Sequence, residues 1–367
     1  MKKLLIGLIV DGKAGGVDKY ILDFYNDIHG KYAQVDFLSS VYSEELAEEL
    51  KKHGSQLLVC PKMSDLAGQY RALKQIVSEN KYDIVYFNYS TAIGWTAVKG
   101  ARDAGAERVI VHSHSSGFSN NSIVTEKLFK LAHYLFRPLL CKYATDYLSC
   151  SDKAAVWMFG KIAKKGSKVR LIKNEVDDIR YYPDQEKRDF FRSQYGLEDS
   201  FVIGNVGGML KAKNQAFLIK LLAPLKAVVP NAKLLLVGDG ENRKSLEALT
   251  SKLGLDNDVI FAGYMNTENG IMNAFDVFCL PSYIEGFPYV AVEAQKLNLP
   301  CILSDRITKQ VRQLDQCTYK SLNKPKEWIN QIDELSRTGR KEIRQIENKS
   351  LPLFITRVEF FKEITDI

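Results

Sequence analysis

Two carboxylates eight positions apart, Glu285 and Glu293, stand in the stretch Leu280-Pro281-Ser282-Tyr283-Ile284-Glu285-Gly286-Phe287-Pro288-Tyr289 and its continuation to Ala294. Val277–Leu280, before the proline, is a short apolar run that reads as a buried strand, and the chain from Tyr289 onward is compatible with a helix. Glu285 and Gly286 are therefore expected in a loop between a strand's carboxyl end and a helix amino terminus. Ligands bind at that place in open parallel sheets, and free N–H groups there favour phosphate. Glu285 is positioned to accept hydrogen bonds from a polar ligand at the helix mouth. Glu293, expected about two turns into the helix, reaches a second group of hydroxyls. Carboxylates accept well from paired hydroxyls, which points to a sugar and a ribose. Two glutamates on a helix also commonly form nothing more than a solvated face.

Other residues add cations, glycines and imidazoles. The run Gly204-Asn205-Val206-Gly207-Gly208-Met209-Leu210-Lys211-Ala212-Lys213 places two lysines, compact cations suited to phosphate oxygens, just past an apolar segment. Asp11-Gly12-Lys13-Ala14-Gly15-Gly16-Val17 follows the first apolar run, where glycine permits close backbone approach to a ligand or a plain tight turn. Its spacing is not G-x-G-x-x-G with an acidic residue about twenty positions on, which argues against a dinucleotide dehydrogenase. Val109–Val111 leads into His112-Ser113-His114. The two imidazoles are expected to point to opposite faces, and without a third clustered ligand they are a weak metal signal. Leu234–Val237 runs into Gly238-Asp239-Gly240, a glycine-rich strand-to-helix turn.

These residues need a scaffold, and the pattern supplies one. Leu4–Val10, Val35–Leu38, Leu57–Cys60, Ile84–Phe87, Val109–Val111 and Tyr147–Ser149 read as strands. Between them Val17–Ile28, Ser43–Lys52 and Leu66–Ser78 carry helical periodicity. A second series begins near residue 200, with strands Phe201–Val206, Leu234–Val237, Val259–Phe261, Val277–Leu280 and Cys301–Leu303. Its helices are expected over Ala216–Val229, Arg243–Leu253, Asn269–Ala274 and Val290–Asn298. Strand–helix alternation implies parallel sheets covered on both faces. The fold class is therefore α/β with two similar domains, 1–180 and 181–350, joined through a charged connector over Asp177–Arg192. Residues 351–367 are expected to form a terminal helix.

Bulk properties narrow the possibilities. The 367 residues are 46% hydrophobic and 26% charged, as in a soluble globular protein too long for one ordinary core. The six cysteines lack paired C-x-x-C spacing and read as reduced core thiols of a cytoplasmic protein. Lys2-Lys3 and Leu4–Val10 outline a signal peptide, but the apolar run ends at Asp11 and no cleavage site follows, so a first strand is expected. No stretch approaches the ~18 apolar residues that span a bilayer. The net charge of +7 permits attraction to anionic lipid or phosphorylated ligands. The aromatic–basic interleaving of nucleic-acid modules is missing, and no nucleic-acid partner is expected. Residues 125–147 carry Lys127, Lys130, Arg137 and Lys142 among apolar side chains, compatible with peripheral contact to an anionic membrane or with a core helix bearing a basic side. Pro138 is expected to bend or end that segment.

The loop from Pro281 to Glu293 resembles the donor-site signature of the retaining family 4 glycosyltransferases, in which a proline-serine strand end, a Glu-Gly-Phe turn and a second glutamate bind a nucleotide-sugar. The resemblance runs from the first glycine loop to Ser304-Asp305 and is sharpest over Val237–Asp305. It implies a GT-B architecture, two Rossmann-like doubly wound domains facing across a cleft, with the last helix crossing back to the first. It implies that Glu285, with Gly286, Phe287 and Pro288, holds the donor sugar and phosphate, and that Glu293 holds the ribose. Gly15 and Gly16 correspond to a loop beside the donor phosphates and the acceptor. Gly238 lies where nucleotide approaches the backbone. His112, or His114 as its rival, resembles the active-site histidine of the exopolysaccharide members. Lys213 matches the lysine that neutralises the leaving diphosphate, whereas Gly208 stands where the family has arginine. Ile172–Asp177 matches Pro-Asn-Gly-Val-Asp only in part, with Glu175 in the glycine's place. The family's later glycine-rich stretch is missing from Arg306–Asn323, so the second domain is expected to end in abbreviated form.

The catalytic set so implied is His112, His114, Glu285 and Lys213, with no metal and no cofactor, the nucleotide-sugar being a substrate. The implied reaction moves a sugar, by default from a UDP-sugar, to a saccharide or lipid-linked saccharide with retention, in bacterial capsule or exopolysaccharide synthesis. The implied location is cytoplasmic, peripheral on the inner membrane face. Gly208 leaves a weakened protein that binds nucleotide-sugar or a partner as an alternative, and a sugar-nucleotide 2-epimerase is a second.

Overall fold

The computed structural model describes residues 2–10, 15–30, 33–164, 168–172, 176, 180–338 and 354–365. The chain divides into two compact units, Met1–Asn174 together with Leu351–Ile367, and Glu175–Ser350. Strands β1 (Lys2–Gly7), β2 (Ala33–Ser39), β3 (Leu57–Val59), β4 (Ile84–Tyr89), β5 (Arg108–Ser113), β6 (Asp146–Ser149) and β7 (Val169–Ile172) belong to the first. Strands β8 (Phe201–Val206), β9 (Ala232–Val237), β10 (Val259–Gly263), β11 (Val277–Leu280), β12 (Cys301–Ser304) and β13 (Cys317–Lys320) belong to the second, and β14 (Phe354–Ile355) returns to the first.

The first sheet runs β14-β7-β6-β5-β4-β1-β2-β3 and the second β10-β9-β8-β11-β12-β13, and the pairs within both are parallel. Each contains the doubly wound order 3-2-1-4-5-6, which reverses direction between the unit's first and fourth strands. The expectation of two Rossmann-like α/β domains holds. The central strands show why: β4, β11 and β12 are buried along their whole lengths, as apolar runs covered on both faces must be.

In the first unit Leu73, Val77, Val98, Leu140 and Met158 cover one face of the sheet against Leu5, Val85, Val109 and Val111. The helix Gly15–Ile28 buries Tyr20, Ile21, Phe24 and Ile28. The terminal helix Arg357–Thr365 packs on it, with Phe24 and Phe361 rings 5.9 Å apart and Arg357 Nε donating to Asp27 Oδ2 at 2.7 Å. In the second unit Leu218, Leu222, Leu234, Leu236, Val277, Ile302 and Trp328 form the core. Each such side chain contributes about 1.5–3 kcal/mol by leaving water.

The structure departs from expectation at several elements. Much of the connector is a helix, Gln185–Gln194, whose Asp184 cap accepts from Lys187 N–H at 3.0 Å. Arg188 and Arg192 clamp it to Asp276, so the charges that suggested a linker are packing groups. Asn269–Ala274 is not an α-helix: two 3-10 turns, Thr267–Asn269 and Ile271–Ala274, meet at Gly270. The end of the second unit is not abbreviated, because β13 and the helix Pro325–Thr338 complete it and bury Trp328 and Ile332. Pro138 lies inside the unbroken helix Ile123–Tyr143. The segment read as basic and amphipathic lies in that helix up to Tyr143 and runs on into the start of β6. All six cysteines are free thiols, five of them buried.

Candidate functional site

The second sheet reverses between β8 and β11, so the loops after those strands face a single crevice mouth of that unit. They are tied together through backbone groups. Tyr283 N–H donates to Ala212 C=O at 2.8 Å, and Asn214 Nδ2 donates to Pro281 C=O at 3.1 Å. This docking brings Lys213, in the 3-10 turn Lys211–Lys213, to Glu285. Its Nζ donates to both carboxylate oxygens, at 2.8 and 3.0 Å.

Glu285 is only 8% exposed and Glu293 only 2%. Neither belongs to a solvated face. Gly286, Phe287 and Pro288, also buried, lead from Glu285 into the helix Tyr289–Lys296. That helix begins at Tyr289, as read, and Glu293, its fifth residue, stands one turn into it, not two. Its Oε2 accepts from Thr267 Oγ1 at 3.1 Å, and that hydroxyl lies 2.9 Å from the Tyr181 hydroxyl. A buried carboxylate needs such partners.

Gly238 is demanded by the chain itself. A Cβ there would lie 2.2 Å from Gly207 C=O, with φ at +132°. The loops after β8 and β9 meet backbone to backbone, Met209 N–H donating to Asp239 C=O at 2.8 Å, while Gly238 N–H donates to Gly263 C=O at the end of β10 at 2.7 Å. Gly208 differs, since a Cβ there meets nothing closer than Asp239 C=O at 3.6 Å. A side chain fits.

In the first unit, β1 and β4 flank the reversal. The buried Asp18 carboxylate accepts from Val10 N–H at 3.1 and 3.2 Å and fastens the base of the glycine loop. Asp11–Ala14 of that loop, and Lys173–Glu175 and Asp177 of the partial Ile172–Asp177 match, lie outside the described residues. Gly15 and Gly16 open the helix Gly15–Ile28 and are exposed, Gly15 with φ at +80°.

His112 is the last residue but one of β5 and is fully enclosed, whereas His114, just past the strand, is half-buried. The expected divergence of the two side chains is overturned. Residues two apart on a strand share a face, and the rings lie 4.0 Å apart, both against Tyr20 at 4.8 and 4.9 Å. His112 Nδ1 is 2.7 Å from the Tyr86 hydroxyl, which is 2.8 Å from that of Tyr20. His114 Nε2 is 2.8 Å from Asn88 Oδ1. Burial, reinforced by the neighbouring His114, holds His112 well below the ordinary imidazole range, and burial holds His114 down to about 3. Both are neutral at pH 7.

Sequence reasoning missed Tyr20, Tyr86, Asn88 and Thr267. One signal was present: Tyr86 and Asn88 are polar groups two apart in a strand otherwise apolar, where burial demands a partner. Among the described residues no three His, Cys, Asp or Glu side chains gather as a metal would require. No described helix is long and apolar enough to cross a membrane.

Two doubly wound parallel sheets in one chain, with a lysine–glutamate pair at the switch point of the second, are the build of a GT-B sugar transferase. Known proteins agree. The family described as Glycosyltransferase Family 4 matches residues 14–180, and Glycosyl transferases group 1 matches residues 187–349. The putative glycosyltransferase EpsF of Bacillus subtilis (strain 168) is 30% identical over 348 residues, 92% of this chain and 89% of that protein. The UDP-Gal:alpha-D-GlcNAc-diphosphoundecaprenol alpha-1,3-galactosyltransferase of Escherichia coli is 28% identical over 247 residues, 66% of this chain and 62% of that protein. Anabaena HepE, solved in complex with UDP, superposes with a TM-score of 0.72 at 20% identity, covering 92% of this chain and 90% of that one. The chain belongs to the family 4 glycosyltransferases.

Proposed function

We propose that the chain moves a sugar from a UDP-sugar to a saccharide or lipid-linked saccharide acceptor, with retention and without a metal, in bacterial surface polysaccharide synthesis. The observation that carries this reading is the Lys213–Glu285 pair at the second unit's switch point, with buried Glu293 one helical turn beyond the loop. On this reading Lys213 turns from Glu285 to the donor diphosphate, freeing carboxylate oxygens for sugar hydroxyls, and Glu293 takes the ribose. The bond from the anomeric carbon to the donor phosphate oxygen breaks while the acceptor oxygen bonds on the same face. The acceptor proton passes to the departing phosphate. Lys213 opposes the charge growing there, an effect on the order of 10²–10³ in rate. The uridine choice draws support from the UDP-Gal donor in the E. coli relative's name and from the UDP bound to HepE.

A weakened transferase is the second reading, and Gly208 favours it, since one cation of the family pattern is missing there. Thermal-shift screening against UDP-, GDP- and ADP-sugars, then donor consumption with and without acceptor, tests both. Stabilisation by UDP-sugars with slow nucleotide release supports the transferase. Binding without release supports the weakened protein, epimerised donor without acceptor overturns transfer, and no binding of any donor overturns the donor reading.

The helix Ile123–Tyr143 supports peripheral membrane contact. Ile123, Val124, Leu128, Leu131 and Leu135 are 57% to 68% exposed, with Lys127 exposed beside them. Such a face gains from entering the lipid interface while its basic groups meet anionic headgroups. Sedimentation with anionic but not neutral vesicles, abolished by Leu128→Glu with Leu131→Glu, is the expected result. Equal sedimentation of the double variant would remove the proposal.

A further inference from the structure

The 3-10 turn Thr267–Asn269 brings a hydroxyl to Glu293, whose Oε2 accepts from Thr267 Oγ1 at 3.1 Å. The turn is held on both sides. Asn266 Oδ1 accepts from Glu268 N–H at 3.1 Å, and Gly270, with φ at +93°, redirects the chain directly after it. Arg180 Nη1 donates to Glu268 Oε1 at 2.9 Å. The next residue, Tyr181, is buried, with its hydroxyl 2.9 Å from Thr267 Oγ1. These residues all belong to the second unit.

The direction of the bonds follows from the chemistry of the groups. An ionised carboxylate only accepts, so Thr267 gives its one hydroxyl proton to Glu293. Toward Tyr181 the Thr267 oxygen can then only accept, and the Tyr181 O–H donates to it. A hydroxyl that accepts is a stronger donor in such a chain, and the β-branched threonine side chain holds its χ1 angle stiffly. A carboxylate has about four lone-pair positions, so support from one hydroxyl is compatible with acceptance from the two hydroxyls of a ribose.

We infer that Thr267, backed by Tyr181, is a positioning residue that sets the Glu293 carboxylate for a ribose diol, and so governs affinity for the ribose rather than for the base or the diphosphate. This rests on the proposed reading of Glu293 as the ribose ligand and names what orients it. The 3-10 turn is then more than a connection between β10 and β11, because its first residue carries the orienting hydroxyl. If Thr267 only satisfied a buried charge, its loss would lower stability and act on every nucleotide alike.

The test is calorimetry of the full chain with UDP and with dideoxy-UDP, which lacks both ribose hydroxyls. Thr267→Val, close to threonine in shape, should lower UDP affinity about five-fold and leave dideoxy-UDP affinity unchanged. Thr267→Ser keeps the hydroxyl and should restore most of the UDP affinity. Tyr181→Phe should give a smaller loss, again confined to UDP. Equal losses for both nucleotides in Thr267→Val, or a loss for neither, overturn the inference, as does a serine variant that restores nothing. Glu293→Gln, measured in parallel, separates the inference from the reading beneath it. If Glu293→Gln affects both nucleotides equally, the ribose role of Glu293 falls and takes the inference with it. If its loss is confined to UDP while Thr267→Val shows none, only the role of Thr267 falls. Should UDP not bind, GDP and ADP with their dideoxy forms take its place, since all three carry the ribose, and binding of none overturns both.

Discussion

Lys213 and Glu285, 72 positions apart in the chain, form a two-pronged ion pair at 2.8 and 3.0 Å, held by loops that hydrogen-bond to each other just below it. Each partner occupies the other, so a diphosphate or sugar must compete for it. Lys213→Met is expected to lower kcat by roughly 10²–10³. It should also lower stability by about 1–3 kcal/mol, because Glu285 stays buried without its cation. Steady-state kinetics and urea unfolding separate the two effects, and a change in stability alone would count against a role in the leaving group.

Glu293 makes a different prediction. It is nearly inaccessible and held by Thr267, so Glu293→Gln preserves the volume while weakening acceptance from ribose hydroxyls. Donor affinity should fall about ten-fold, the worth of one charge-assisted hydrogen bond, with little change in the circular dichroism. Calorimetry with UDP reads this directly, and undiminished affinity would remove Glu293 from the nucleotide site.

Two neighbouring glycines should respond in opposite ways. Gly238→Ala places a methyl against Gly207 C=O and is expected to cost roughly 1–3 kcal/mol or more, read as a lower urea midpoint. Gly208→Arg meets open space and should leave the midpoint nearly unchanged while raising donor turnover. Slower turnover in a folded Gly208→Arg protein would show that the missing cation is no deficit.

Acid should destabilise the first unit through its histidines. His133 accepts from Ala92 N–H through Nδ1 at 3.0 Å and lies 3.0 Å from Trp157 C=O through Nε2, and burial holds it down to about 4. With His112 and His114 it is neutral in the folded chain but titrates near 6.5 when unfolded. The unfolded state therefore binds more protons below that value. Stability is fully present above about pH 6.5 and falls as pH drops toward 4. Unfolding at pH 5 should take up roughly three protons through these groups, against almost none at pH 8. A melting temperature that stays level between pH 7 and pH 5 would contradict this.

The strand–loop–helix around Glu285 was legible because an apolar run, a proline and a helix-compatible segment are local signals. The Lys213 contact was not, since it depends on two loops meeting across strands whose adjacency only the sheet order defines. Gln185–Gln194 read as linker because it buries a single apolar side chain, Phe191, and is otherwise held by arginines. The helix Pro325–Thr338 has proline at its start and Trp328 and Ile332 four apart, a local helical signal that the sequence does carry. The histidines end β5 as the apolar run before them implies, and their shared face follows from the strand's two-residue period. Tyr20 reaches the histidines from a helix nearly a hundred positions earlier, a contact that no local pattern reports.

Strand β14 pairs with β7 at the far edge of the first sheet, and Arg357 and Phe361 behind it brace the helix that carries Tyr20. Synthesis from the amino terminus therefore delivers the second unit as an uninterrupted stretch, whereas the first waits for its closing strand until the second has been made. The histidine-bearing unit stays open at one edge until that strand arrives, so its completion follows the translation of the other unit.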